Sequence, residues 1–135
     1  MTSDAARRLF AAARVARLAT ADASGGPHLV PIVFALAGDT IVSAVDAKPK
    51  RTTALRRLRN VAENPRVALL ADHYDDADWS ELWWVRAEGE ARVLGGDDAA
   101  PGLALLCERY AQYRAERPAG PVLAIEVDRW SGWHA

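Results

Sequence analysis

Hydrophobic and polar positions along the 135 residues alternate between two periods, one helical and one extended. Near the start, Ala6, Leu9, Phe10 and Ala13 recur at helical spacing behind Ser3 or Asp4, either of which can cap a helix running to about Arg14. "VARLATA", Val15 to Ala21, then reads as a strand, and "DASGG" is turn chemistry. "PHLVPIVFAL", from Pro27 to Leu36, and "TIVSAV", from Thr40 to Val45, are apolar runs separated by "AGD", which predicts an antiparallel meander. The helical period returns from Thr52 to Glu63, where Leu55, Leu58 and Val61 mark one face and Pro65 disfavours helical geometry just before it. "RVALLADH" and "LWWVRAEGEARVL" predict two more strands. "PGLALLCERYAQYRAE" predicts an amphipathic helix opened by Pro101, and "PVLAIEVDRWSGW" a last strand. The order α-β-β-β-α-β-β-α-β predicts a mainly β fold, a small and mostly antiparallel barrel plugged by helices, rather than a doubly wound parallel sheet.

Half of the chain is hydrophobic, and a chain of this size buries about two thirds of its unfolded surface, so residues 1–135 are expected to form a single domain. One cysteine, Cys107, allows no intrachain disulfide and fits a reducing compartment, the cytoplasm by default. The opening segment spreads Arg7, Arg8, Arg14 and Arg17 among its apolar residues. It therefore holds neither a secretory core nor a membrane span, and no membrane partner is expected.

Charge changes the picture at one place. "SAVDAKPKRTTALRRLRN", Ser43 to Asn60, carries six cations and one acid in a chain of net charge −1. Lys48, Lys50 and Arg51 fall where a strand gives way to a helix. Unpaired N–H groups and flanking cations make such a point a ready anion site, with phosphate the natural guest. The plainer reading is a solvated helix face. Arg56 and Arg59 share a helical face and extend the basic patch, whereas Arg57 is expected on the solvent side. The net charge, and the lack of aromatics interleaved with these cations, argue against nucleic acid as a partner.

Conventional catalytic constellations are missing. His28, His73 and His134 have no nucleophile elbow near them, and with one cysteine they offer no metal-ligand spacing. "SGG" before Pro27 lies between strands and is neither a P-loop nor a dinucleotide fingerprint. In an enzyme of this kind a bound cofactor supplies the reactive atom, and the protein supplies grip and orientation. Five tryptophans suit a planar ligand. Trp83 and Trp84 are adjacent on a strand, so they face opposite sides of the sheet. His73 and His134 are read as surface residues. The acidic stretch Asp72 to Glu81 is read as a solvated loop, or else as a rim that repels anions or reaches a second subunit.

The segments "LATADASGGPHLVPIVFAL", "TIVSAVDAKPKRTTALRRLRNVAENPRVALLAD" and "LWWVRAEGEARVL" together resemble the split β-barrel superfamily of pyridoxamine 5'-phosphate oxidases and their actinobacterial relatives. The resemblance covers nearly the whole chain and implies an FMN-binding-like split barrel. In the oxidases a lysine grips the flavin phosphate and an "RQVRVEG"-like strand follows "NP"; "KPKRT", "ENPRV" and "WWVRAEG" are similar here. Trp84 stands where the oxidases have a glutamine, and Pro49 where they have an arginine. With these replacements and a "WSGW" ending, the chain resembles the deazaflavin-dependent branch, whose cofactor is coenzyme F420.

The resemblance implies that Lys50 grips phosphate with Lys48 and Arg51 beside it, that the backbone from His28 to Pro31 and from Ser43 to Val45 lines the cofactor, with His28 the one histidine placed near it, and that Trp84 lies near its ring. Arg86 is expected to reach a cofactor carbonyl or, more plainly, to pair with Glu88 or Asp72. It further implies a homodimer that transfers a hydride between F420 and a small organic substrate. Two alternatives stand beside that reading: an FMN-binding oxidase or flavin reductase on the same barrel, and a non-catalytic binder of the cofactor or of a tetrapyrrole.

Overall fold

In a computed structural model the chain is described over residues 1–45 and 51–135, with side chains in the helix after residue 50 described from residue 56 onward. The helix α1 (Ser3–Ala12) precedes the strands β1 (Ala16–Ala21), β2 (Pro27–Ile32), β3 (Ala35–Ala37) and β4 (Thr40–Ala44). The helix α2 (Arg51–Glu63) leads into β5 (Arg66–His73) and β6 (Trp83–Leu94). The helices α3 (Ala100–Arg109) and α4 (Ala111–Ala115) precede β7 (Val122–His134). All pairings are antiparallel, in one seven-stranded sheet of order β2-β1-β5-β6-β7-β4-β3. The expected mainly β architecture with plugging helices is what forms.

Only Val33 and Phe34 separate β2 from β3, the two edge strands, so the sheet must curl until its edges meet. The single run expected from Pro27 to Leu36 is broken at this point. No ladder spans the break, and side chains supply the hydrogen bonds instead. Ser43 Oγ donates to the Val33 carbonyl at 2.9 Å. Tyr110 Oη accepts from Phe34 N at 3.2 Å and lies 2.8 Å from the Phe34 carbonyl, to which Arg109 Nη1 donates at 3.0 Å.

Tyr110 also explains why the expected C-terminal helix is two. Its backbone is extended (φ −117°, ψ 120°), which ends α3 at Arg109 and starts α4 afresh. The first helix begins one residue earlier than Ser3 would set it, because the side chain of Thr2 accepts from Ala5 N at 3.1 Å and is the cap.

The curled sheet encloses one core on its inner face. Leu18, Val30, Ile32, Ile41, Leu69, Val85 and Ile125 meet there, and α1 closes it with Phe10, whose ring lies 4.7 Å from Phe34 and 5.4 Å from Trp130. A second, smaller cluster packs α3, through Leu103 and Leu106, against Val42, Ala44 and Val122 on the outer face. Gly89 marks a bulge in the β6–β7 ladder, where any Cβ would lie 2.1 Å from the Glu126 carbonyl oxygen. Only glycine permits that approach of two backbones.

Candidate functional site

Strand alternation divides the expected site residues into two groups. On the inner face of β2 lie His28, Val30 and Ile32, opposite Thr20, Leu18 and Ala16 of β1. Pro31 points outward, in a row that runs through Arg17, Leu70 and Arg86 to Ser131. Trp84 is on that same outer face, beside its register partner Trp133. His28 and Pro31 therefore cannot line one surface of a single chain.

The inner group gathers at the mouth of the barrel under α2. Asn60 is 2% exposed and its Nδ2 donates to Thr20 Oγ1 at 3.1 Å, which seats α2 over the end of β1. This buried asparagine corrects the expectation for Arg57. Residues 57, 60 and 61 share a helical face, so Arg57 is drawn in with Asn60 and Val61 while Arg56 and Arg59 are exposed. The polar Asn60 in mid-helix was the available signal, but the apolar stripe through Leu58 drew the face one position away.

Among the described residues, two buried polar atoms at this mouth have no hydrogen-bond partner: Nε of Arg57 and Nδ1 of His28. Burial pushes the Arg57 guanidinium down from the ordinary arginine value, with the Tyr113 hydroxyl opposing. Burial, followed by the charges of Arg56 and Arg57, lowers the His28 imidazole from its usual value. Positive charge and unsatisfied donors in a half-buried site are what an incoming anion would relieve. The mouth thus fits a phosphate-bearing group.

The remaining inner residues are committed elsewhere. Ser43 is buried with its hydroxyl on Val33, and Val45 is in the core with its N–H donating to Pro121 O at 2.9 Å. Their side chains present no surface to a ligand in this chain. Lys48 and Lys50, with Pro49, lie outside the described residues, as does the side chain of Arg51; its backbone opens α2.

The outer group lies at the far end of the β6–β7 ladder. Trp84 pairs with Trp133 near one end of β7, whereas Ala44, which leads to the basic segment, pairs with Val122 at the other. About 35 Å of strand separates those positions at the usual rise per residue. Trp83 turns inward as expected, packs on the core and stacks with His73 at 6.2 Å between centroids. Trp130 also packs on the core, with its Nε1 donating to Asp39 at 2.9 Å, and Trp79 is exposed. Arg86 takes its plainer role: Nε lies 3.6 Å from Glu88 Oε2, and the guanidinium sits 5.2 Å from the centre of the Trp84 ring. An open cavity of about 130 Å³ lies where β5 turns into β6, walled by His73, Tyr74, Trp83, Trp84 and Trp133, with Asp72 at its side. Among the described residues no group of His, Cys, Asp and Glu is arranged to hold a metal ion, and no helix is long and apolar enough to cross a membrane.

This architecture recurs in solved structures. HutZ, the heme storage protein from Vibrio cholerae, superposes with a TM-score of 0.72 at 16% identity over 99% of this chain and 95% of that one. The FAD binding protein from Mycobacterium smegmatis superposes with a TM-score of 0.63 at 20% identity over 98% and 95%. At these identities the likeness is one of fold. In sequence the chain is 34% identical over 87 residues to the 5a,11a-dehydrotetracycline/5a,11a-dehydrooxytetracycline reductase of Streptomyces rimosus, a match that spans 63% of this chain and 60% of that protein. The family model for pyridoxamine 5'-phosphate oxidase matches residues 2–134. With the split barrel and an anion-ready mouth already in place, that match over nearly its full length means that the chain belongs to the pyridoxamine 5'-phosphate oxidase family.

Proposed function

We propose that this protein is a cytoplasmic, coenzyme F420-dependent oxidoreductase that passes a hydride between the deazaflavin and a small organic acceptor, and that it works as a homodimer. The observation that carries the reading is a pair of buried atoms without a hydrogen-bond partner among the described residues, Nδ1 of His28 on β2 and Nε of Arg57 on the helix that continues the basic segment. The named activity of the Streptomyces relative, reduction of a dehydro compound, supports the same chemistry.

Lys50, Lys48 and Arg51 grip the phosphate and anionic tail, Arg57 adds a charge-assisted hydrogen bond, and His28 adds another when protonated. When bound, the deazaflavin supplies the hydride carbon. The protein's own task is to orient the acceptor on an aromatic surface and to exclude water, with Trp84 as that surface. No nucleophile is required of the chain.

The homodimer is the reading's second part. The outer face carries exposed Leu29 (67%), Leu70 (39%) and Trp133 (48%) around Pro31 and Trp84, an apolar surface suited to self-association.

The test is titration of the purified protein with oxidised F420 and with FMN, followed by tryptophan fluorescence, together with the solution mass. Tighter binding of F420 by a dimer is expected. Preference for FMN would make it a flavin enzyme of the same fold, and a monomer that still binds F420 would remove the shared site.

A further inference from the structure

Three polar side chains follow one another along α2 at intervals of three, Arg57, Asn60 and Glu63, and so form one ridge of the helix. Two of them are fastened to the hairpin of β1 and β2. Glu63 Oε1 accepts from Ala23 N at 3.0 Å in the exposed turn, and Asn60 Nδ2 donates to Thr20 Oγ1 at 3.1 Å in the interior, where both residues are buried. The third, Arg57, has a buried Nε with no partner among the described residues. Thr20 is itself the register partner of His28, so the strand pair that receives Asn60 also presents the second unpartnered atom of the mouth.

A buried amide–hydroxyl pair is a poor source of stability, because exchanging both members for apolar groups of similar shape is close to neutral. What such a pair supplies is direction. On the neighbouring face of α2, Val61 lies in the core and Leu58 packs half-buried against it. Apolar contact is non-directional and tolerates a helix turning about its own axis, whereas a hydrogen bond in a dry interior does not. A roll by one residue position, about 100°, would seat the helix on Leu58 and turn Arg57 away from the mouth.

We infer that Asn60 and Thr20 are positioning residues for the bound anion: their hydrogen bond fixes the roll of α2 and thereby holds the Arg57 guanidinium at the mouth beside His28. The inference rests on the reading of the mouth as a phosphate grip, and it adds two residues that touch no ligand themselves.

The experiment uses the full-length, cofactor-free protein labelled with ¹⁵N, with inorganic phosphate as the probe and the Arg57 Nε–H and His28 imidazole signals as readouts. Four proteins are compared: the wild type, Thr20→Ser, which keeps the hydroxyl, Thr20→Val, which leaves Asn60 unpaired, and the apolar pair Thr20→Val with Asn60→Leu. Phosphate is expected to shift both signals in the wild type, and Thr20→Ser should bind it within about twofold of wild type. Thr20→Val and the apolar pair should each bind about tenfold more weakly, the loss that follows when a charge-assisted hydrogen bond is misaimed. The apolar pair should nevertheless unfold at a temperature close to that of the wild type, and its Arg57 Nε–H should exchange with water faster even without phosphate. Wild-type affinity in the folded apolar pair, or an equal loss in Thr20→Ser and Thr20→Val, would overturn the inference while leaving the mouth an anion site. A wild-type protein whose Arg57 and His28 signals ignore phosphate would remove the mouth reading and this inference with it. Should the apolar pair fail to fold, the contrast between Thr20→Ser and Thr20→Val decides the matter by itself.

Discussion

The mouth under α2 and the cavity beside Trp84 lie at opposite ends of the same strand ladder, and they are incomplete in opposite senses. At the mouth, Nε of Arg57 is a buried donor without an acceptor among the described residues, beside an imidazole that burial and two arginines keep from charging, so what is missing there is negative charge. At the cavity, aromatic rings and the Asp72 carboxylate face solvent, with Arg86 over the Trp84 ring and Arg17 3.7 Å from Asp72. The contrast teaches that burial and exposure carry information of different kinds. An unsatisfied buried atom names the hydrogen bond it lacks, whereas an exposed aromatic surface names only a shape and a sign.

The largest expected effect comes from breaking what joins the two ends. Gly89→Ala sets a Cβ against a backbone oxygen that cannot swing aside, and should cost about 3 kcal/mol of stability in urea unfolding, the upper range for overpacking. A loss under about 0.5 kcal/mol would mean that the ladder gives at the bulge and that the two ends are not rigidly coupled.

Next comes the mouth itself. Arg57→Ala should weaken binding of the phosphate-bearing cofactor by about 1.5–3 kcal/mol, the range for a charge-assisted hydrogen bond. Stability of the free protein should hold or rise, since a desolvated cation with no paired carboxylate among the described residues is removed. Arg59→Ala, exposed on the same helix, is the comparison and should change affinity little. Equal losses from the two would reduce the mouth to diffuse electrostatics.

Trp84→Ala should cost roughly 1 kcal/mol of cofactor affinity through lost stacking, with the fold intact. Unchanged affinity in a dimeric protein would separate the outer face from the cofactor altogether.

The smallest effect is a pH dependence at His28. Its imidazole is held below the ordinary value near pH 6.5, chiefly by burial, so the unfolded chain takes up a proton there before the folded one does. The stability it contributes is full above about pH 6.5 and is lost as pH falls through the folded value. An anion at the mouth favours the protonated ring, so phosphate affinity should strengthen as pH falls through the same window. His28→Gln should flatten both dependences, measured by unfolding and by titration at several pH values. A pH profile of affinity that His28→Gln leaves unaltered would detach His28 from the anion.

Most of the architecture was legible in the chain because strand and helix periods are local. "RVALLADH" became β5 residue for residue, and alternation alone put Trp83 and Trp84 on opposite faces, of which Trp83 takes the inner one. What escaped depended on long-range partners. Nothing near Phe34 in sequence announces that Ser43, Arg109 and Tyr110 will satisfy the backbone there, and so the breaks at Val33–Phe34 and at Tyr110 were invisible. The inward turn of Arg57 depended on Asn60 finding Thr20 across the core. For the site, residue types were readable and their assortment was not. The resemblance grouped His28 with Pro31 as one backbone edge, and the pleat of β2 set their side chains on opposite faces.

The junction at Val33–Phe34 has a consequence for how the molecule breathes. Elsewhere neighbouring strands are zipped by repeated backbone bonds, so that opening one pair leaves others to hold. Here a clasp of three side chains, one from a strand and two from the C-terminal end of α3, holds the edges together, with the rings of Phe34 and Tyr110 sandwiching Arg109 at 4.8 and 5.4 Å. Such a clasp releases as a unit. Detachment of α3 would free the seam while the remaining ladders stay shut, so the Phe34 amide should exchange with solvent by a low-energy, sub-global opening rather than by global unfolding. The barrel is closed in the manner of a buckle, and its slowest exchanging amides should lie on β6, the strand farthest from both edges in the order of strands.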